Sequence, residues 1–266
     1  MACTLSVNVP KVRTGTTETL EINEAATSGA DPVELSIEMG AGTLTIKPGA
    51  SSTVQGTVDY NVGDWLPRVS NTGSKIQISQ TNNKSVGIPD GQIVNTWDLK
   101  LGSTPLDLSI STGANEGTFD FSGLSIVLLT ISDGASKTSV TFNEPNPVAM
   151  KRLEYHTGAS EVNLIGLSYA HVKEIEFNGG AGSYKLDFSG ELKDNMNVRI
   201  STGMSDLTLT IPSGAHAVIT INGGLSNVNA NGTWTINGST YETGSTGPTI
   251  YVTLDMAVGN LNLNQK

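Results

Sequence analysis

Glu154 and Glu176 each stand inside a short run of polar side chains at alternate positions: Arg152, Glu154 and His156, then Glu174, Glu176 and Asn178, with Arg199 following at nearly the same interval. Two carboxylates brought to about 5 Å of one another could act as nucleophile and acid on a glycosidic bond. Their mutual repulsion would raise the pKa of one of them. The plainer reading is an exposed sheet face of alternating charge, with Arg199 beside Glu176, and cross-strand ion pairs there contribute little. The plainer reading is favoured, because perturbed carboxylates point to catalysis only inside a cleft and no sequence feature supplies one. Arg152, Glu154, His156, Glu174, Glu176 and Arg199 are therefore expected to form a surface-interaction patch, and no residue is assigned as catalytic.

Other chemistry is weaker still. The stretch from Glu176 to Gly190 approaches a calcium-binding G-G-x-G-x-D repeat through Gly179, Gly180 and Gly182, but Tyr184 occupies the aspartate position. His156, His171 and His216 have no metal-ligand spacing. There is no G-x-S-x-G elbow and no phosphate loop, so no metal or cofactor is expected. The net charge is -10, and no run of Lys and Arg could neutralise phosphates, which argues against nucleic acid as a partner. No stretch reads as a transmembrane helix, and "MACTLSV" lacks the apolar segment of a signal peptide. Cys3, the single cysteine, cannot close an internal disulfide. It is either an incidental thiol at a terminus or the lipid-bearing first residue of an exported lipoprotein, with a membrane contact only through that lipid.

The elements that would position these side chains follow from a repeat. Hydrophobic residues make up 37% of the 266-residue chain but aromatics only 5%, and Gly, Ser, Thr and Asn abound, which favours many short strands over helices. A glycine recurs at Gly40, Gly113, Gly134, Gly158, Gly180, Gly203 and Gly224, and Ala257 stands in the same place in a last copy. From Gly113 to Gly224 the interval is nearly constant. Five and three residues before each glycine the chain is apolar (Leu153 and Tyr155, Ile175 and Phe177, Val198 and Ile200), and the residue between is polar, the alternation of a half-buried strand. A second alternating strand follows the glycine. Gly180 is expected to be a corner held at positive φ, with the small Ala181 facing a narrow interior.

A period of about 22 residues with two or three strands predicts an all-β, single-domain parallel β-solenoid. Residues 1–32 read as tail and cap, 33–266 as the solenoid. Within it, 50–104 read as irregular coils, two of them fitting the long gap between Gly40 and Gly113, and 105–230 as regular coils. Asn237-Gly238 signals a projecting hairpin over 231–250, and 251–266 reads as the final coil. Trp65, Trp97 and Trp234 are candidate loop contacts.

The segment "VELSIEMGAGTLTI" from Val33 to Ile46, the repeated "STGA" and "SGL" corners and the terminal "INGSTYETGSTGPTIYVTLDMAVGNLNL" resemble the toast-rack or putative-adhesin β-solenoids of bacterial cell surfaces. The resemblance runs from about Val33 to Leu263 and is weakest between Tyr60 and Lys100. It implies an exported, envelope location, often as a lipoprotein, and so favours lipid on Cys3. It carries no catalytic residues. The expectation is a non-enzymatic binding or display module whose partner is envelope glycan or another surface protein. A polysaccharide-active enzyme and a purely structural spacer are the alternatives.

Overall fold

The computed structural model describes residues 11–27, 32–80, 88–89, 91–224, 227–244 and 246–266. Among them helix is confined to one 3-10 turn, Gly63–Trp65, and the rest of the regular structure is strand. In chain order the strands are β1 (Lys11–Val12), β2 (Glu18–Glu24), β3 (Val33–Pro48), β4 (Val54–Tyr60), β5 (Pro67–Asn71), β6 (Lys75–Gln80), β7 (Ile88–Pro89), β8 (Asn95–Leu101) and β9 (Leu106–Asp120). Then follow β10 (Ile126–Thr141), β11 (Met150–Ile165), β12 (Val172–Asp187), β13 (Met196–Ile211), β14 (His216–Ile221), β15 (Asn227–Asn231), β16 (Thr235–Asn237), β17 (Thr240–Thr243) and β18 (Thr249–Gln265). The long strands β3, β9, β10, β11, β12, β13 and β18 lie side by side in that order, all parallel, in one open sheet of sixteen strands.

Alternation builds these strands. In β11, Leu153 and Tyr155 are buried before the glycine and Ser160, Val162 and Leu164 after it, with polar residues between. At the glycine the alternation slips by one: Gly158 and Ala159 both face solvent, as do Gly134 with Ala135 and Gly180 with Ala181. The slip lets both limbs of a long strand bury their apolar side chains in one contiguous core.

This corrects the expectation for the corner. Ala181 points outward, and Gly180 does not adopt a positive φ. The glycines stack as a column in which backbones approach too closely for a side chain. A Cβ on Gly113 would stand 2.5 Å from the carbonyl oxygen of Gly40, one on Gly134 2.7 Å from that of Gly113, and one on Gly203 2.8 Å from that of Gly180. Gly158 and Gly180 are at least as tight against Gly134 and Gly158. Left-handed backbone occurs instead where the second limb ends, for example at Gly166 (φ +79°).

Both ends of the sheet depart from simple stacking. The long stretch between Gly40 and Gly113 holds no intervening pair of coils, because β3 pairs directly with β9, Ala41 against Ala114. The inserted chain covers the other edge of β3: β6 lies along its first limb and β8 along its second, both parallel. Beyond β8 run β4 and then β2, antiparallel. Trp97, placed on β8, is wholly buried, and Trp65 packs with Val12 and Val62, so neither is a loop contact. The alternation of Trp97, Leu99 and Leu101 with Thr96, Asp98 and Lys100 drives that burial.

At the far end the last strand is not the outermost. The chain leaves β13, skips one place to lay down β14 and β15, and returns through the antiparallel β16 and β17. Strand β18 then fills the gap, with Leu254 opposite Ile200 on one side and Ile221 on the other. In the hairpin Asn237 pairs with Thr240, so Gly238 (φ +60°) and Ser239 form the turn.

Candidate functional site

Parallel register sets the outward side chains of the first limb in rows. Glu154, Glu176, Arg199 and Thr253 form one row, and Arg152, Glu174, Asn197 and Tyr251 the next. His156, Asn178, Ser201 and Asp255 form a third. The six patch residues named from the sequence therefore stand on one face of β11, β12 and β13.

Their bonds are specific. Arg152 donates to Glu154 (Nη1–Oε1, 2.9 Å) and to Glu174 (Nη2–Oε2, 3.0 Å). These two hydrogen bonds, Glu154 first, hold the guanidinium above its ordinary pKa. His156 Nε2 lies 3.9 Å from Glu154, and Asn178 Nδ2 donates to Glu176 (2.9 Å) and sits 3.3 Å from His156 Nδ1. Arg199 is the register neighbour of Glu176, but no ion pair joins them: Asn178 holds the carboxylate, and Arg199 is exposed with no carboxylate within 4.0 Å among the described residues. A depression of about 310 Å³ opens between Arg152, Glu174, Glu176, Asn197, Arg199 and Tyr251.

A larger feature adjoins it. A groove of about 600 Å³ crosses β9 to β13 at the bend. Each strand contributes one polar side chain from the position two before its glycine: Ser111, Ser132, His156, Asn178 and Ser201. His156 and Asn178 belong to groove and charged patch alike. The sequence reading passed over this groove, although the position is polar in every complete copy, from Glu38 to Asp255.

Beneath the groove lies Asp133, 8% exposed. Tyr155 Oη donates to its Oδ2 (2.6 Å), and Thr157 Oγ1 and Ser160 Oγ (3.2 Å) donate to its Oδ1. The same bending supplies these partners, since Thr157 and Ser160 face inward on either side of the outward Gly158–Ala159 pair. Burial, reinforced by the charge of Asp133, pushes the Tyr155 hydroxyl far above its ordinary pKa of 10.0. Tyr184 moves the same way, by burial first. The unfolded chain loses these protons near pH 10 while the native protein keeps them. Stability is therefore full below pH 10 and falls as pH rises beyond it, at up to about 1.4 kcal/mol per pH unit per tyrosine. Urea unfolding at pH 9 and pH 11 is expected to show this loss, and Tyr155→Phe is expected to reduce it.

Trp234 is half-buried and donates its indole N–H to the Asn231 carbonyl (3.1 Å). Cys3 lies outside the described residues. Among those described, no group of three or more His, Cys, Asp or Glu is placed to hold a metal ion, and no helix is long and apolar enough to cross a membrane.

Comparison with known proteins adds a family and a fold. The family model described as the N-terminal domain of toast_rack, DUF2154, matches residues 10–151 and 145–210. The solved structure of a "putative cell adhesion protein" from Clostridium sporogenes is similar with a TM-score of 0.51 and 22% identity, covering 94% of this chain and 99% of that one. A "putative lipid binding protein" from Parabacteroides distasonis is similar with a TM-score of 0.42 and 12% identity, covering 96% and 99%. A "putative adhesin" from Parabacteroides merdae follows with 0.39 and 10%, covering 94% and 98%. No curated protein matches the chain.

Proposed function

The chain belongs to the toast-rack N-terminal domain family, and from that premise we propose that it is a non-enzymatic binding module of the bacterial envelope which holds a hydroxyl-rich glycan along the groove across β9 to β13. The observation that carries this reading is the row Ser111, Ser132, His156, Asn178 and Ser201: five polar side chains, one per strand, at the roughly 4.8 Å spacing of a sheet. A linear polymer lying along the row meets a hydrogen-bonding group from every strand it crosses. We read the sheet as the wall of a parallel β-solenoid with turns of about 22 residues, a rigid frame for such a row; the partners Ala114, Ala135, Ala159, Ala181 and Met204 support that reading. The adhesion named for the Clostridium structure is consistent with it. Lipid on Cys3 would tether the module to a membrane.

Glu154 and Glu176 act in this reading as binding groups, each held by its own partner on an open face. The test is incubation of the purified protein with peptidoglycan and envelope polysaccharides, scoring co-sedimentation and released sugar ends together. Retention without release is expected. The double variant His156→Ala/Asn178→Ala should weaken retention about tenfold or more, as two hydrogen bonds of about 1 kcal/mol each are lost. Release of sugar ends that Glu154→Ala/Glu176→Ala abolishes would make the protein an enzyme and overturn the proposal.

A further inference from the structure

We propose that the groove across β9 to β13 selects glycans of amino sugars whose amines are free, and therefore cationic, over their N-acetylated or carboxylated counterparts. This rests on the groove being a glycan site and names the class of sugar it takes. A polar row alone would hold any sugar polymer, but the charges around the row are of one sign. Among the described residues no Lys or Arg lines the groove, whereas Asp133 stands in its floor between Thr112 and Thr157. Register extends the row by one strand at each end, to Glu38 on β3 beside Ser111 and to Asp255 on β18 beside Ser201. Both additions are carboxylates, and neither forms an ion pair among the described residues.

The flanking rows keep the same sign. On the first limb Glu154, Glu176 and Arg199 leave one net negative charge. On the second limb Glu116, Lys137, Glu161 and Asp206 leave two. A cleft lined by one sign of charge concentrates ligands of the other. A uronate or phosphate polymer would be repelled along its whole length, and an N-acetylated one would gain nothing from the field.

Asp133 is an independent sign of the same ligand. Its carboxylate is 8% exposed, and its three donors are neutral hydroxyls, so its charge is uncompensated. A buried charge without a counter-charge is costly to keep. An ammonium group in the groove supplies the counter-charge without displacing any hydroxyl. Thr157 is the contact, because it lines the groove, gives its hydroxyl proton to Asp133 and keeps a lone pair for a ligand N–H. A proton donated to that oxygen polarises the hydroxyl and strengthens its bond to the carboxylate. In the next strand the floor has no side chain at Gly179. Directly under it lies Tyr184 Oη, 3.0 Å from where a Gly179 Cβ would stand, wholly buried and without a hydrogen-bond partner among the described residues.

The test is calorimetric titration of the full chain with two β-1,4-linked glucosamine heptamers, one fully N-acetylated and one with protonated free amines. The free-amine heptamer is expected to bind about tenfold tighter or more at about 0.01 M salt, and most of that preference should vanish at about 1 M. Asp133→Asn should cut the preference about threefold or more and leave the acetylated heptamer unaffected. If that variant fails to fold, Glu38→Gln/Asp255→Asn, at the ends of the row, is expected to show the same loss. His156→Ala/Asn178→Ala removes no carboxylate and should still weaken the free-amine heptamer about tenfold. Undiminished binding there would put the polycation elsewhere on this acidic protein and overturn the proposal. Equal affinity for the two heptamers, tighter binding of the acetylated one, or no binding of either while envelope polysaccharide is retained would overturn the preference alone. Failure to retain any glycan would remove the glycan reading beneath it as well.

Discussion

Gly158→Ala is expected to lower the stability of this protein by about 2–3 kcal/mol, whereas Ala159→Val, one residue on, should change it by less than about 0.5 kcal/mol. The contrast follows from the column of glycines at the bend. A methyl group on Gly158 falls against the carbonyl oxygen of Gly134 in the preceding strand, far inside contact distance. Relief would require separating β10 from β11, and the two are locked in register on both sides of the bend. Ala159 points into solvent and has room to grow. Asparagine separates this cause from a conformational one. At a left-handed corner Asn is among the mildest replacements for Gly, but at a site of close approach it is no better than Ala. Urea unfolding should therefore give Gly158→Asn a midpoint at or below that of Gly158→Ala, with an unchanged m-value. A midpoint clearly above it would return the explanation to backbone conformation.

The sequence alone shows that a glycine is needed at this place but not why. Close approach and positive φ both demand the missing Cβ, and choosing between them requires the neighbouring strand. The outward turn of Ala181 was nevertheless within reach. Phe177 and Tyr184 are both buried, yet one has an odd number and the other an even one, which unbroken two-residue alternation cannot meet. One extra residue must face outward between them. Trp97 was legible for the same reason, since it heads an alternating run that ends at Leu101. The order of strands at the far end was not: Ile200, Leu254 and Ile221 are interchangeable aliphatic rungs, so nothing in their chemistry says that β18 lies between β13 and β14. At the candidate site, the register that aligns Glu154 with Glu176 and Arg199 could be counted from the repeat. The choice of Asn178 rather than Arg199 as the partner of Glu176 could not, because it depends on rotamers that spacing does not encode. The groove needs the bend itself, which brings the positions before the glycine together across five strands.

The second large effect is expected at Asp133. Its carboxylate is buried without a cation within 4.0 Å among the described residues, and three hydroxyl groups solvate it. Two opposing terms decide the outcome of Asp133→Ala. Removing a buried charge relieves its desolvation, which favours the variant. Against that, the donors lose their acceptor, and each buried hydroxyl left unpaired costs about 1–3 kcal/mol. Thr157 and Ser160 can partly compensate, because their oxygens already lie 2.6 Å apart. Tyr155 is wholly buried, so no solvent replaces its lost acceptor. The donors should win, with a net loss of about 3 kcal/mol. Tyr155→Phe alone should cost about 1 kcal/mol, as the carboxylate keeps its other two donors. The double variant Asp133→Ala/Tyr155→Phe removes both partners of one bond together and should be more stable than the sum of the single losses by about 1–2 kcal/mol. A urea-unfolding cycle of the four proteins measures that coupling. The opposite result is a loss for Asp133→Ala no larger than that of an ordinary surface substitution, below about 0.5 kcal/mol, or single losses that simply add. Either would mean that the carboxylate is held by the strands around it and that the three hydroxyls contribute little to keeping the bend in place.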